Sequence, residues 1–328
     1  MVDIKEVAKL ASVSIASVSR VVNNSRSVSE EVRNKVNDAL KELNYVPNTL
    51  AKSMRTQKSN YIGVIVSDIK DPFFAELYTI IENKVKESGY KTILINGPFD
   101  DVESTVQSLF HWNIEGVIIC FSHIKGQWSD ILRQYKKRIP FVIMETIEGK
   151  GDYNRVFIDV EEGMYRAVKY LINHGHKRIA YFRGNASLPD GRYKGYLRAL
   201  EESEIDFDQD LLFECEYDIF GGQLAASELL SLKNKPSAIV TINDTIALGA
   251  MKFFLKNNIR IPEDISIIGF DDNMIAGLTY PELSTVRIPI KTLAVNATKI
   301  LLKSLRNNNN KISNILIQTE LILRETTS

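Results

Sequence analysis

The stretch IKEVAKLASVSIASVSRVVN, residues 4–23, spells two short amphipathic helices around a tight break. Ile4, Val7, Ala8 and Ala11 recur at the i, i+3, i+4, i+7 spacing of one helical face. Ser12-Val13 supplies the break, and Ser14 is placed to cap a second helix. On that helix Val18, Val21 and Val22 share one face, Ala16, Ser19, Arg20 and Asn23 share the opposite one, and Ile15 lies at the edge. A free face that is small, hydroxyl-rich and carries one arginine suits the DNA major groove, because bulkier side chains would hold the helix off the base edges. An ordinary αα-hairpin would satisfy the apolar pattern too. The residues downstream choose between the two.

A third helix is expected from Ser29 to Asn44. Ser29 caps it, Glu30 and Glu31 stand where the helix dipole favours negative charge, and Val32, Val36, Ala39, Leu40 and Leu43 form its stripe. Pro47 stops this helix, and residues 48–55 have the length of about two helical turns. So short a helix is barely stable alone in water, so this segment needs an outside partner to be ordered.

From Tyr61 the pattern changes. YIGVIVS, KTILING, GVIICFS, FVIMET, RVFID, RIAYFRG, SAIVTIN and ISIIGFD are short, nearly continuous apolar runs, as a parallel sheet covered on both faces requires. Helical stretches such as PFFAELYTIIENKVKESGY, EGMYRAVKYLINHG and GGQLAASELLSLK alternate with them. The strand series divides near residue 160. The expected fold is an N-terminal all-α helix-turn-helix headpiece, residues 1–46, then a hinge and linker, 47–60, then an α/β core, 61–328. That core reads as two doubly wound parallel-sheet subdomains, about 61–160 with a returning segment near 290–320, and about 161–289 with the C-terminal strand. Ligands of such sheets sit at the carboxyl ends of strands, which here carry Asp68, Asp159, Asn243 and Asp271.

Charge is unevenly placed. Residues 1–60 hold ten Lys+Arg against six Asp+Glu, a net of +4, which leaves −4 for the rest because the whole chain balances at 41 and 41. A basic end on an acidic body is the footprint of DNA binding confined to one region. No N-terminal apolar run resembles a signal peptide and no apolar stretch is long enough to span a membrane, so a cytoplasmic protein is expected. Cys120 and Cys215 stand in no metal or redox spacing and read as reduced, buried thiols. His174 and His176 have no further His or Cys cluster to complete a metal site. The Asn run at 307–310 reads as a polar loop. No G-x-G-x-x-G follows a strand and no nucleophile elbow appears, so neither an enzyme nor a cofactor is expected.

VSIASVSRVVN, then NYVPNTLAKSMR and YIGVIVSDIKDPFF, resemble the LacI/GalR family of bacterial transcription regulators. The likeness continues through IEGVIIC, LINHGHKRIAYFRG, GRYKGY, IVTINDTIALGAM, IPEDISIIGFDD and IQTELILRETTS, nearly the whole chain. One departure is Ser12, where most of the family has glycine at the turn. The resemblance implies a core like that of periplasmic sugar-binding proteins and a repressor of carbohydrate-utilisation genes acting as a homodimer on a near-palindromic double-stranded operator. It implies base reading by Ile15, Ala16 and Arg20, and phosphate contacts from Ser14, Ser17 and Asn23. It further implies a hinge of Leu50, Ala51, Lys52, Ser53 and Met54 that enters the minor groove, with Met54 as the wedge.

For the core, the resemblance implies a small sugar or sugar derivative held by Phe73, Phe74, Asp159, Arg192, Phe220, Asn243 and Asp271. For the carboxylates a strand-end cap is the competing reading. Effector binding is expected to shift the subdomains and so change the folding of the hinge. The alternative is a catabolite-control regulator answering to a phosphorylated carrier protein. The stretch VNATKILLKSLRNN offers Lys299, Lys303 and Arg306 to such a partner without reproducing that branch's motif closely.

Overall fold

Helix α1 (Ile4–Leu10) ends where the backbone turns left-handed, with Ser12 at φ 52°. The Ser12 N–H donates to the Lys9 carbonyl at 3.2 Å and the Val13 N–H to the Ala8 carbonyl at 3.0 Å, which satisfies carbonyls the helix end would leave open. Ser14 then caps α2 (Ile15–Val22): its Oγ accepts from the Ser17 N–H at 3.1 Å, and the two hydroxyls lie 2.9 Å apart. Ser29 caps α3 (Glu30–Glu42) by accepting from the Val32 N–H at 3.4 Å. Val7, Ala8, Ala11, Val18, Val21, Val36 and Ala39 close the small core of this first unit. In this computed structural model the described residues are 3–22, 28–45, 59–97, 102–120, 134, 138–146, 153–184, 191–306 and 312–327. The chain divides into two units between Ser59 and Asn60.

The second unit begins with β1 (Tyr61–Val66), α4 (Pro72–Glu87), β2 (Lys91–Asn96), α5 (Val102–His111), β3 (Gly116–Cys120), β4 (Phe141–Glu145) and β5 (Asn154–Ile158). It continues with α6 (Val160–Asn173), β6 (Ile179–Arg183), α7 (Gly191–Glu201), β7 (Leu212–Glu214), α8 (Ile219–Ser231), β8 (Ala238–Thr241) and α9 (Asp244–Lys256). Strands β9 (Ser266–Asp271) and β10 (Ser284–Arg287), helix α10 (Ile290–Arg306), and strands β11 (Asn314–Ile317) and β12 (Glu320–Ile322) complete it.

These strands form two six-stranded sheets, ordered β11-β5-β4-β3-β1-β2 and β12-β10-β9-β8-β6-β7. The first is parallel throughout; the second is parallel except for the antiparallel β10–β12 pair. Central strands such as β3, β4, β6 and β9 are buried at every position, which is why their sequences run apolar instead of alternating. The order reverses between β1 and β3 and again between β6 and β8, and such switch points open crevices at strand carboxyl ends.

The chain passes between the sheets after β5, after β10 and between β11 and β12. Thus ILIQTELIL, read as one C-terminal strand, is two strands in different sheets, with Gln318 and Thr319 making the passage. Strands β7 and β10 were not anticipated: β7 is three residues long, and β10, STVR, is mostly polar. Helices α8 and α9 pack backbone to backbone: a Cβ on Gly222 would meet the Ile246 carbonyl, and one on Gly249 the Ile219 carbonyl. This contact holds the starts of the two helices side by side.

Candidate functional site

The crevice between the two sheets is a cavity of about 670 Å³, within the ~300–1,000 Å³ range of small-molecule sites. From the first sheet it takes the end of β1 and the start of α4, with Cys120, Met144, Thr146 and Ile158 behind. From the second it takes Arg192, the starts of α8 and α9, and Asp271. Ile288, on the passage after β10, also lines it.

Apolar walls come first from Phe73 and Phe74, both buried, their rings edge to face at 5.2 Å. They sit there because Asp71 and Pro72 start α4: the Asp71 carboxylate accepts from the Phe73 N–H at 2.9 Å, and proline takes the first helical position. Phe220 also lines the cavity but is 64% exposed.

The polar groups converge from the second sheet. Arg192 Nη2 lies 3.6 Å from Asp271 Oδ1, and its guanidinium rests 4.3 Å from the centre of the Phe270 ring. Asn243 caps α9, its Oδ1 accepting from the Ile246 N–H at 2.9 Å, and its Nδ2 donates across the cleft to Asp71 Oδ2 at 3.3 Å. Behind it the buried Asp244 accepts from Thr285 Oγ1 at 2.6 Å and the Asn273 N–H at 2.9 Å. Asp271 ends β9 at φ 111°, a backbone conformation that side-chain-bearing residues rarely adopt. Strain of this kind persists where the surroundings fix it, and it gathers at ligand sites.

Burial dominates the electrostatics. It pushes the Asp271 carboxyl well above its usual pKa range, opposed by Arg192 and reinforced by the charges of Asp71 and Asp244. Burial also raises Asp71, against hydrogen bonds from Phe73 and Asn243. Asp244 is pushed up to about 7 by burial, against the hydrogen bonds from Thr285 and Asn273. Burial raises the Cys120 thiol, so this wall of the cavity is inert sulfur.

Phe73, Phe74, Arg192, Phe220, Asn243 and Asp271 are therefore brought together, and Asp68 joins them at the edge. Asp159 departs from the expectation. It does not line the cavity: it caps α6 by accepting from the Glu162 N–H at 3.1 Å, and its carbonyl accepts from Thr319 Oγ1 at 3.2 Å. Its N–H donates to the Ile317 carbonyl, so Asp159 fastens two of the passages between the sheets. Asp71 and Thr245 line the cavity and were missed. An aspartate before proline at a helix start was a legible cap signal for Asp71; Thr245 had none.

In the headpiece Ile15, Ala16 and Arg20 are exposed on α2, Ser14 is exposed and Ser17 half-buried. Asn23, Leu50, Ala51, Lys52, Ser53 and Met54 lie outside the described residues, as do the asparagines at 307–310. Cys120 is buried as expected, whereas Cys215 is only partly so. Among the described residues no cluster of His, Cys, Asp or Glu could hold a metal ion, and no helix is long and apolar enough to cross a membrane.

Residues 3–48 match the family model for bacterial regulatory proteins, lacI family, and residues 59–325 that for periplasmic binding proteins and sugar binding domain of LacI family. The HTH-type transcriptional repressor PurR of Vibrio atlanticus (strain LGP32) is 33% identical over 330 residues, covering 99% of this chain and 98% of the relative. The ribose operon repressor of Haemophilus influenzae is 32% identical over 329 residues, with the same coverage. Among solved structures, the Lac repressor dimer bound to operator and the anti-inducer ONPF is similar at a TM-score of 0.88 and 26% identity, over 99% of each chain.

Proposed function

Because the chain belongs to the LacI family of bacterial regulatory proteins, we propose that it represses transcription from a near-palindromic operator and that a small sugar-like effector in the core cleft sets its operator affinity. The observation that carries this reading is the buried Arg192–Asp271 pair on the wall of a ligand-sized cavity, in a chain that also bears a helix-turn-helix. Arg192 offers a planar fork of donors, Asp271 and Asp71 accept, and Phe73 and Phe74 cover the apolar faces of a ring. These groups supply the chemistry of binding.

Ile15, Ala16 and Arg20 read base edges, while Ser14, Ser17 and Asn23 hold phosphates. Leu50, Ala51, Lys52, Ser53 and Met54 form the minor-groove segment, Met54 opening a base step. The effector acts by binding two arrangements of the core subdomains with different affinity, the only way a ligand shifts such an equilibrium. A homodimer supplies the second half-site reader. The segment between β9 and β10 supports it, because Met274, Leu278 and Tyr280 are 69%, 75% and 88% exposed there, and apolar groups so placed suit an interface. Lys299, Lys303 and Arg306 are exposed on α10, but among the described residues no further feature there selects a phosphorylated carrier protein.

Operators selected from a random-sequence pool test the DNA half of the proposal. The selected sites are palindromic, and Arg20→Ala loses discrimination at one base pair per half-site, at a cost of ~1–3 kcal/mol. Salt-sensitive non-specific binding persists. A uniform loss across all sequences makes Arg20 a phosphate contact, and a pool that yields no enriched sequence contradicts the operator reading.

A further inference from the structure

The direction of the Asp271 side chain is set by the turn that Asp271 begins. Its backbone holds φ 111° and that of Asp272 holds φ 52°, two left-handed residues in succession, neither a glycine. Aspartate enters the second conformation more readily than most residues, but the first is rare for any residue with a Cβ. Such a turn persists only where its surroundings fix it.

Bonds to all three of its residues fix it here. The Asp271 carbonyl accepts from the Ile288 N–H at 3.1 Å, and the Asn273 N–H donates to Asp244 Oδ2 at 2.9 Å. Between them two arginines grip the Asp272 carboxylate: Arg287 Nε donates to Oδ2 at 2.7 Å and Arg324 Nη2 to Oδ1 at 2.6 Å. Charge-assisted hydrogen bonds of this length are the strong kind. The Asp272 side chain is only 8% exposed, so salt and water screen them little. None of these bonds uses the Asp271 carboxylate, which stays available to the cleft.

The arginines reach Asp272 from distant parts of the chain. Arg287 ends β10, immediately before the passage that brings Ile288 to the cavity, and its Nη1 also donates to Glu320 Oε2 at 3.3 Å. Glu320 opens β12, immediately after the passage through Gln318 and Thr319. Arg324 is tied to the start of β10, its Nη1 donating to the Leu283 carbonyl at 2.6 Å and its N–H to Ser284 Oγ at 2.8 Å. One carboxylate thus joins both ends of β10 to two of the passages between the sheets.

We propose that Asp272 is a positioning residue for the effector: it does not touch the ligand, and its two-arginine clamp holds Asp271 aimed into the cleft and ties that aim to the passages after β10 and between β11 and β12. The assignment rests on the cleft being the effector site.

Asparagine adopts the left-handed conformation as aspartate does, so Asp272→Asn keeps the backbone preference of the turn and removes the charge that holds both arginines. Ribose, glucose, cellobiose and adenine are titrated calorimetrically into the full-length protein, and the tightest binder serves as the probe. A double-mutant cycle with Asp271→Asn then separates positioning from stability. Asp272→Asn is expected to weaken the probe about tenfold in the parent and by less than about twofold in the Asp271→Asn background, because the clamp acts through the carboxylate already removed. Arg287 is 43% exposed, so its replacement spares the fold. Arg287→Gln should weaken the probe roughly threefold, and Arg287→Lys, which keeps the charge, should recover most of that loss. If Asp272→Asn does not fold, the same cycle run with Arg287→Gln decides. An equal loss in both backgrounds makes Asp272 a support of the sheet alone and overturns the proposal. Unchanged affinity in Asp272→Asn, with Asp271→Asn still weakened, overturns it and leaves the effector reading standing. Binding of none of the four compounds by the parent overturns the effector reading and the proposal together.

Discussion

Arg192 near the start of α7 and Asp271 at the end of β9 face each other at 3.6 Å, each side chain 7% exposed. That separation is too long for a hydrogen bond. The pair therefore holds charge without using up the directional lone pairs of the carboxylate, which remain for a ligand. Asp271→Asn keeps the shape and removes the charged acceptor. A hydrogen bond to a charged group contributes ~1.5–3 kcal/mol, so effector affinity should fall by roughly one to two orders of magnitude. Calorimetry on parent and variant checks this; equal affinities would remove Asp271 from the site.

The raised carboxyls give affinity and stability opposite pH trends. In the proposed site, effector hydroxyls donate to ionised Asp71 and Asp271, whose pKa values burial raises. Lowering the pH through those raised values protonates the acceptors, so effector affinity weakens toward acid. Stability runs the other way for Asp244, whose pKa burial raises to about 7. Between its unfolded and folded values the native state binds more protons than the unfolded chain. The stability this group confers is complete below the unfolded value and is lost as pH rises through about 7. Relative to Asp244→Asn, the parent should therefore lose melting temperature from about pH 5 to about pH 8. A difference between the two that does not change with pH contradicts the assignment.

Ser12 holds a left-handed conformation at φ 52° in the turn between α1 and α2. Glycine adopts that conformation without the Cβ clash, so Ser12→Gly should stabilise the headpiece by about 1 kcal/mol. Hydrogen exchange of the α1 and α2 amides in the full chain reads the effect. Faster exchange in the variant would mean that the serine contributes something the turn geometry does not show.

Much of the fold was legible because its pattern is physical. Residues 4–22 alternate faces at helical spacing, and Val7, Val18 and Val21 are buried where that spacing puts them. The eight apolar runs became β1 to β6, β8 and β9, since a sheet covered on both faces leaves no polar position to blur the signal. Strands β7 and β10 escaped notice because β7 is only three residues long and β10, STVR, lacks an apolar run. Within ILIQTELIL the break is a passage between sheets, a long-range relationship that local composition does not encode. The cleft was legible in part for a similar reason. Strand ends carry Asn243 and Asp271 into the cavity, whereas Asp159 is turned to capping by the passage on which it lies. Thr245 reaches the cavity from the first turn of α9, a position that no local motif marks.

The central claim is that the cleft and the DNA-reading face are coupled in one molecule. Its direct test is the operator affinity of the full-length protein with and without a saturating ligand identified by calorimetry, in the parent and in Asp271→Asn. Coupling of ordinary size changes the parent's operator affinity by about 5- to 150-fold. The variant at the same ligand concentration, now below saturation, should show little of that change. An operator affinity that stays constant while the cleft of the parent is saturated would contradict the account.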